Sequence, residues 1–434
     1  MVSQPDIVLI HCHDLGDWLS CYDMPSVPSP RLEAFADSGV IFDAAFATAP
    51  LCTPARSSIF TGRLPHQNGL MGLTHAGWQY KPGVTTLPEL LRREGYRSAL
   101  IGLQHEDFDA RVLGYDEVHG LGFLPRAMEV ARRVDWWYGQ PRDDTPTLLT
   151  IGIWEVHRPW PAEDYEYADP ATVDVPPYLP DNADTRNDIA AFHGAIRQMD
   201  AAVGQIIDRI TASPKGRDTL IIFTTDHGVA FPRAKSTLYD SGVKVAFIVR
   251  PPESFGVEPG RRDHIVSHLD IVPTLVTVAG GTPSDELEGE SILTRLQTTD
   301  EAAPDTRELL LEKSFHDRYD PIRAIRTPSA KYIRNFEQGV RVPLPLDLEE
   351  SATRAGMGDW PNDPRPAEEL YDLAADPSEL TNLINDPQYA DLRADLVARL
   401  EKLMRDTHDP LLAGPIPEPP APQRPTDERM TLGR

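Results

Sequence analysis

The stretch Ile7-Val8-Leu9-Ile10-His11-Cys12-His13-Asp14-Leu15-Gly16 joins a continuous apolar run to a polar cluster. Four apolar residues with no polar alternation mark a strand covered on both faces, the habit of parallel sheets. Open α/β sheets place ligands at the carboxyl ends of their strands. His13 and Asp14 therefore stand where a site belongs. The pattern recurs along the chain. Residues 97–102 lead to His105, 147–153 to Trp154-Glu155-Val156-His157, and 219–225 to Asp226-His227-Gly228; residues 243–249 make a fifth run. Helical patterns at 30–39, 85–94, 185–210 and 269–279 alternate with them. The alternation predicts an α/β fold with a wound, largely parallel or mixed sheet. Four runs ending in His or Asp predict one active site.

After Glu312 the pattern changes. Short strands at 322–325 and 331–336 and a helix at 386–405 predict a smaller α+β unit. The expected division is a catalytic domain at 1–312, a C-terminal domain at 313–412 and a Pro-rich tail at 413–434. Residues 160–184 read as a long loop over the site, and Trp160, Tyr165, Tyr167 and Tyr178 are candidate walls of a sugar pocket. A structural surface loop explains the same rings equally well.

The chain has 434 residues and a formal charge of −25, which argues against nucleic acid and long polyanions as partners. Its cysteines, Cys12, Cys21 and Cys52, are odd in number and lack framework spacing, so no disulfide scaffold is expected. No signal peptide or membrane span is visible, and the expectation is a cytoplasmic protein.

The stretch Cys52-Thr53-Pro54-Ala55-Arg56-Ser57-Ser58-Ile59-Phe60-Thr61-Gly62-Arg63 carries the sharpest chemistry. Pro54 suits the first turn of a helix. Cys52 and Arg56 then lie one turn apart on one face, and the helix start favours an anion. This C-x-P-x-R pattern with Thr-Gly-Arg after it resembles the signature of the type I sulfatases of the alkaline phosphatase superfamily. Glu369-Leu370-Tyr371-Asp372-Leu373 resembles the segment that opens that family's terminal helix region. Pro65-His66-Gln67-Asn68-Gly69, Phe231-Pro232, Thr237-Leu238-Tyr239 and Thr407-His408-Asp409-Pro410 resemble more narrowly its heparan N-sulfatase branch.

The resemblance implies an alkaline-phosphatase-like fold: a large mixed, mostly parallel sheet flanked by helices, and a smaller domain on a short antiparallel sheet. It implies that a formylglycine-generating enzyme oxidises Cys52 to formylglycine, whose hydrated form attacks sulfur. Arg56 would hold the charged nucleophile and the sulfate. His105 would accept the proton that drives sulfate release, His157 would protonate the leaving atom, and Lys235 would bind a sulfate oxygen. Asp14, Asp226, His227 and residue 52 would hold one divalent cation, with His13 a further candidate ligand. Calcium is the family expectation; two imidazoles would suit manganese or zinc.

Two departures stand out. His13-Asp14 replaces the family's Asp-Asp pair, and Leu103 replaces a lysine two residues before the first catalytic histidine. The expected activity is hydrolysis of a sulfate ester or sulfamate on a small sulfated sugar, with N-sulfoglucosamine the leading candidate. The alternatives are a phosphonate or phosphate ester hydrolase and a catalytically inactive binding homologue. A homo-oligomer is left open.

Overall fold

The computed structural model describes residues 4–122, 124–298, 305–337, 342–359 and 364–420. Its strands are β1 (Asp6–Cys12), β2 (Val40–Phe46), β3 (Arg97–Gly102), β4 (Glu117–His119), β5 (Thr147–Gly152), β6 (Thr219–Thr225), β7 (Phe247–Arg250) and β8 (Gly260–Ser267), then β9 (Leu309–Phe315), β10 (Tyr319–Arg326), β11 (Ala330–Asn335) and β12 (Glu368–Asp372). The first eight form one sheet in the order β4-β3-β5-β1-β6-β7-β2-β8; the last four form a second, β12-β11-β10-β9. From β4 to β6 the neighbours are parallel. Strand β7 is antiparallel to β6 and β2, and β2 runs parallel with β8. The second sheet is antiparallel throughout. This is the large mixed sheet with a small antiparallel partner that the sequence predicts.

Strand β1 shows why its sequence is apolar on both sides. Val8 and Ile10 pack with Ile189, Phe192, Ile196 and Met199 of the helix Ala183–Thr211. Ile7 and Leu9 point the other way, onto Ala55 and Ile59 of the helix Cys52–Thr61 and Val272 and Leu275 of the helix Ile271–Val278. The period-two alternation of a strand distributes them. Each fully buried aliphatic side chain of this kind contributes about 1.5–3 kcal/mol. Among the described residues, no helix is long and apolar enough to cross a membrane.

Several expectations need correction. Strand β7 begins at Phe247, not at 243. The segment Asp240–Val243 forms a helical turn instead, with the Lys244 N–H returning to the Asp240 carbonyl. The branch motif at residues 65–69 forms the short helix Pro65–Asn68 closed by Gly69 at φ 103. A side chain at Gly69 would meet the Gln79 carbonyl at 2.8 Å. Trp160 and Tyr165 do not wall an open pocket. Trp160 is buried against Phe192 and Phe231, and Tyr165 is buried with its hydroxyl 3.2 Å from Glu155. Tyr167 is exposed and Tyr178 half-buried. The start of the Pro-rich tail folds back: Ile416 is buried beside Leu70, Trp78 and Phe315. Residues 421–434 of that tail lie outside the described residues.

The two most separated branch motifs meet in a buried clasp. His66 Nδ1 bonds Glu312 of β9, and its Nε2 lies 3.0 Å from the Thr407 carbonyl. Arg323 of β10 lies between Glu312 and Asp409 and donates to both carboxylate oxygens of Asp409. Similarly, the hydroxyls of Tyr239 and Tyr371 both donate to Glu369 Oε2 at 2.7 Å. These motifs fasten the C-terminal segment to the rest of the chain. Removing one member of a buried charged pair strands the other. Asp409→Ala is expected to destabilise the protein by about 3–5 kcal/mol. Urea unfolding checks this; a change below about 1 kcal/mol would show that the clasp carries no such load.

Candidate active site

Strands β3, β5, β1 and β6 are parallel neighbours, so their carboxyl ends open on one edge of the sheet. His105 follows β3, His157 follows β5, His13 and Asp14 follow β1, and Asp226 and His227 follow β6. The helix Cys52–Thr61, buried along its whole length, brings Cys52 at its first position to the same edge. Ligating atoms of His13, Asp14, Cys52, Asp226 and His227 all lie within 4.8 Å of one another, and all five residues are buried.

Asp14 sits at φ 55, a left-handed conformation that aspartate tolerates better than most residues. That turn lets its backbone N–H donate to Asp226 Oδ1 at 2.9 Å. His13 Nδ1 lies 2.8 Å from Asp14 Oδ1 and 3.1 Å from Asp226 Oδ2. His227 Nε2 lies 3.1 Å from Asp14 Oδ1. Burial alone would lower both imidazoles, but the carboxylates outweigh it and push His13 up to about 9 and His227 up to about 10. Burial would raise the carboxyls. The positive charge of Lys235 and the histidines instead holds Asp14 well below the usual carboxylate range, and His13, His227 and Arg56 bring Asp226 down to about 2. The cluster therefore demands positive charge. Two ionised carboxylates that keep protons on two imidazoles form a donor set that a divalent cation fits, displacing those protons.

Arg56 is fully buried, and its guanidinium donates to Asp226 Oδ2 and to the Cys12 carbonyl, both at 3.0 Å. It also meets His11 Nδ1. Arg56 thus reaches Cys52's neighbourhood through Asp226. Burial would raise the Cys52 thiol, but the charges of His13 and Lys235 and hydrogen bonds with His105 and His13 hold it well below its ordinary range. His105 is buried beside Cys52 and stacks on His75 with ring centroids 6.1 Å apart. Burial lowers its pKa.

Lys235 closes the outer side. Its Nζ donates to Asp14 Oδ2 at 2.7 Å and to Asp347 Oδ2 at 2.9 Å, and lies 3.2 Å from His157 Nε2. His157 Nδ1 lies 2.6 Å from the Arg158 carbonyl, so Nδ1 carries the hydrogen and Nε2 faces Lys235. Burial and then Lys235 bring His157 down to about 4. The lysine supplies the proton and the imidazole the acceptor, in one contact.

All nine residues singled out in the sequence come to this one edge. Three contributors escaped the sequence. His11 orients Arg56; its place in a polar triplet beside His13 was the signal. Glu106 accepts the His105 N–H at 2.7 Å, and burial pushes its carboxyl up to about 7. Asp347 reaches Lys235 from 112 residues away, in a stretch with no periodic pattern, and left no signal.

Comparison with known proteins identifies the family. The sulfatase family model matches residues 5–281. An ulvan-active sulfatase of Formosa agariphila is 27% identical, over 92% of this chain and 74% of its own. N-sulphoglucosamine sulphohydrolase of Homo sapiens is also 27% identical, over 94% of this chain and 91% of its own. A protein solved in complex with its substrate D-glucosamine-2-N,6-O-disulfate shares the fold, with a TM-score of 0.71, 17% identity and coverage of 94% and 99%. With more than half its length matched by the family model, the chain belongs to the sulfatase family of sulfuric ester hydrolases.

Proposed function

We propose that the protein hydrolyses the sulfate ester or sulfamate of a small sulfated sugar, using formylglycine made from Cys52 and one divalent cation. The observation that carries this reading is the meeting of Cys52 with His13, Asp14, Asp226 and His227 inside 4.8 Å. The cation, when bound, supplies a Lewis acid that polarises the nucleophile and offsets charge on sulfate oxygens. Asp14, Asp226 and His227 would hold it, with His13 as a further ligand. Their mixed oxygen and nitrogen donors support manganese or zinc as well as calcium.

The chain's own groups divide the remaining work. The start of the helix Cys52–Thr61 turns its free N–H groups toward the anion. Arg56 fixes Asp226. His105, beside residue 52, is the base that takes the proton when sulfate departs. Lys235 lies 3.2 Å from His157 Nε2, so that pair holds the proton the leaving atom needs. Leu103 removes one cation of the family pattern, and His13 in place of a carboxylate offsets that loss.

Among sugars, N-sulfoglucosamine remains the leading substrate. Its support is the 27% identity with N-sulphoglucosamine sulphohydrolase across 94% of this chain. The acidic surface, −25 overall, also favours a short substrate over a long polyanion. Turnover of N-sulfoglucosamine, glucosamine 6-sulfate, 4-nitrophenyl sulfate and 4-nitrophenyl phosphate, measured side by side, tests this. N-sulfoglucosamine is expected to give the highest kcat/KM and the phosphate the lowest. Turnover of O-sulfates with none of the N-sulfate would overturn the substrate while leaving a sulfatase. In the same assay His157→Ala is expected to cost about 10²–10³-fold on the amine leaving group and at least tenfold less on the activated phenol. Equal losses would remove the His157–Lys235 pair as the source of that proton.

A further inference from the structure

The residue that sequence reasoning missed in the site, Asp347, stands apart from the others in origin and exposure. It belongs to the short helix Leu346–Glu349, between β11 and β12. Its Oδ2 lies 2.9 Å from Lys235 Nζ and 3.9 Å from His157 Nε2. Its side chain is 20% exposed, whereas those of Asp14, Asp226 and His227 are 0% exposed. The preceding residue, Leu346, is 66% exposed. Asp347 therefore marks the outer edge of the site, on the side of Lys235 and His157.

That wall is held from two directions. Arg158, directly after His157, pairs with both oxygens of Asp188 at 2.8 and 2.7 Å. Asp188 Oδ2 also accepts the Thr353 hydroxyl at 2.7 Å, in the helix Ala352–Gly356 that follows Asp347. Asn182 donates to the Gly356 carbonyl at 3.0 Å. One buried ion pair thus sets both His157 and the segment carrying Asp347, an arrangement that fixes the spacing between them.

A carboxylate here opposes the sulfate, because like charges repel at short range. Asp347 faces Lys235 and His157, the pair assigned above to the leaving atom, which puts it on the leaving-group side. Lys235 already offsets its charge, and the carboxylate remains a strong acceptor for O–H donors. We propose, resting on the sulfatase reading above, that Asp347 is a specificity-determining residue that accepts hydrogen bonds from hydroxyls of a sugar leaving group. Leu346 beside it offers an apolar rim to the C–H face of that sugar.

The test compares wild type, Asp347→Asn and Asp347→Ala on N-sulfoglucosamine, glucosamine 6-sulfate, 4-nitrophenyl sulfate and choline sulfate. The nitrophenyl group carries no hydroxyl donor. Both variants are expected to lower the ratio of sugar to nitrophenyl kcat/KM by about 10–100-fold, chiefly through KM for the sugar. An equal loss on sugar and nitrophenyl sulfates would overturn the proposal, since Asp347 would then act only by holding Lys235. A wild type that prefers choline sulfate, or cleaves nitrophenyl sulfate but neither sugar, would also overturn it. A wild type inert on every sulfate would instead defeat the sulfatase reading on which it rests.

Discussion

Replacing Cys52 with alanine is expected to reduce sulfate release by at least about 10⁴-fold while the protein remains folded. Cys52 occupies the first position of a wholly buried helix, amid His13, Asp14, Asp226 and His227, and His105 hydrogen-bonds it. Neither oxygen nor sulfur can be offered from alanine at that point, and no other side chain of the cluster is a suitable nucleophile. Alanine also suits the helix as well as cysteine does, so circular dichroism should be unchanged. A variant retaining more than about 1% of the wild-type rate would show that residue 52 is not the nucleophile.

The second large effect is expected at Asp226. Its Oδ1 accepts the backbone N–H groups of Asp14 and His227, both at 2.9 Å. Its Oδ2 receives Arg56 at 3.0 Å and lies 3.1 Å from His13. Asp226→Asn keeps the shape and removes the charge that these cations balance. Both metal content and kcat are expected to fall, the latter by about 10³-fold, and chelation of the wild type should reproduce the loss. Elemental analysis of wild type and variant, before and after re-addition of calcium, manganese or zinc, reads this directly. Full activity in thoroughly chelated protein with no metal retained would count against a catalytic cation.

Much of this site could be read from sequence because its geometry is local to strand ends. Ile7 to Ile10 must be buried twice, so the residues after them fall at the sheet's carboxyl edge whatever the rest of the chain does. The same logic placed His105, His157 and Asp226-His227. Since β3, β5, β1 and β6 are neighbours, four separate readings became one site. Asp347 could not be found this way. Its position depends on Asp188, Thr353 and Asn182, contacts between segments far apart in sequence. The branch motifs have a different origin. His66, Glu312, Arg323 and Asp409 satisfy one another inside the protein, and a buried network is as specific in sequence as a binding site. Trp160 and Tyr165 were ambiguous because an aromatic ring in a loop fits a pocket wall and a core equally well.

Mass spectrometry of the peptide containing residue 52, taken from protein coexpressed with a formylglycine-generating enzyme, bears most directly on the central claim. The aldehyde should appear at position 52, and the rate of sulfate release across preparations should rise in proportion to the aldehyde fraction. Full turnover by protein carrying only the unmodified thiol would contradict it.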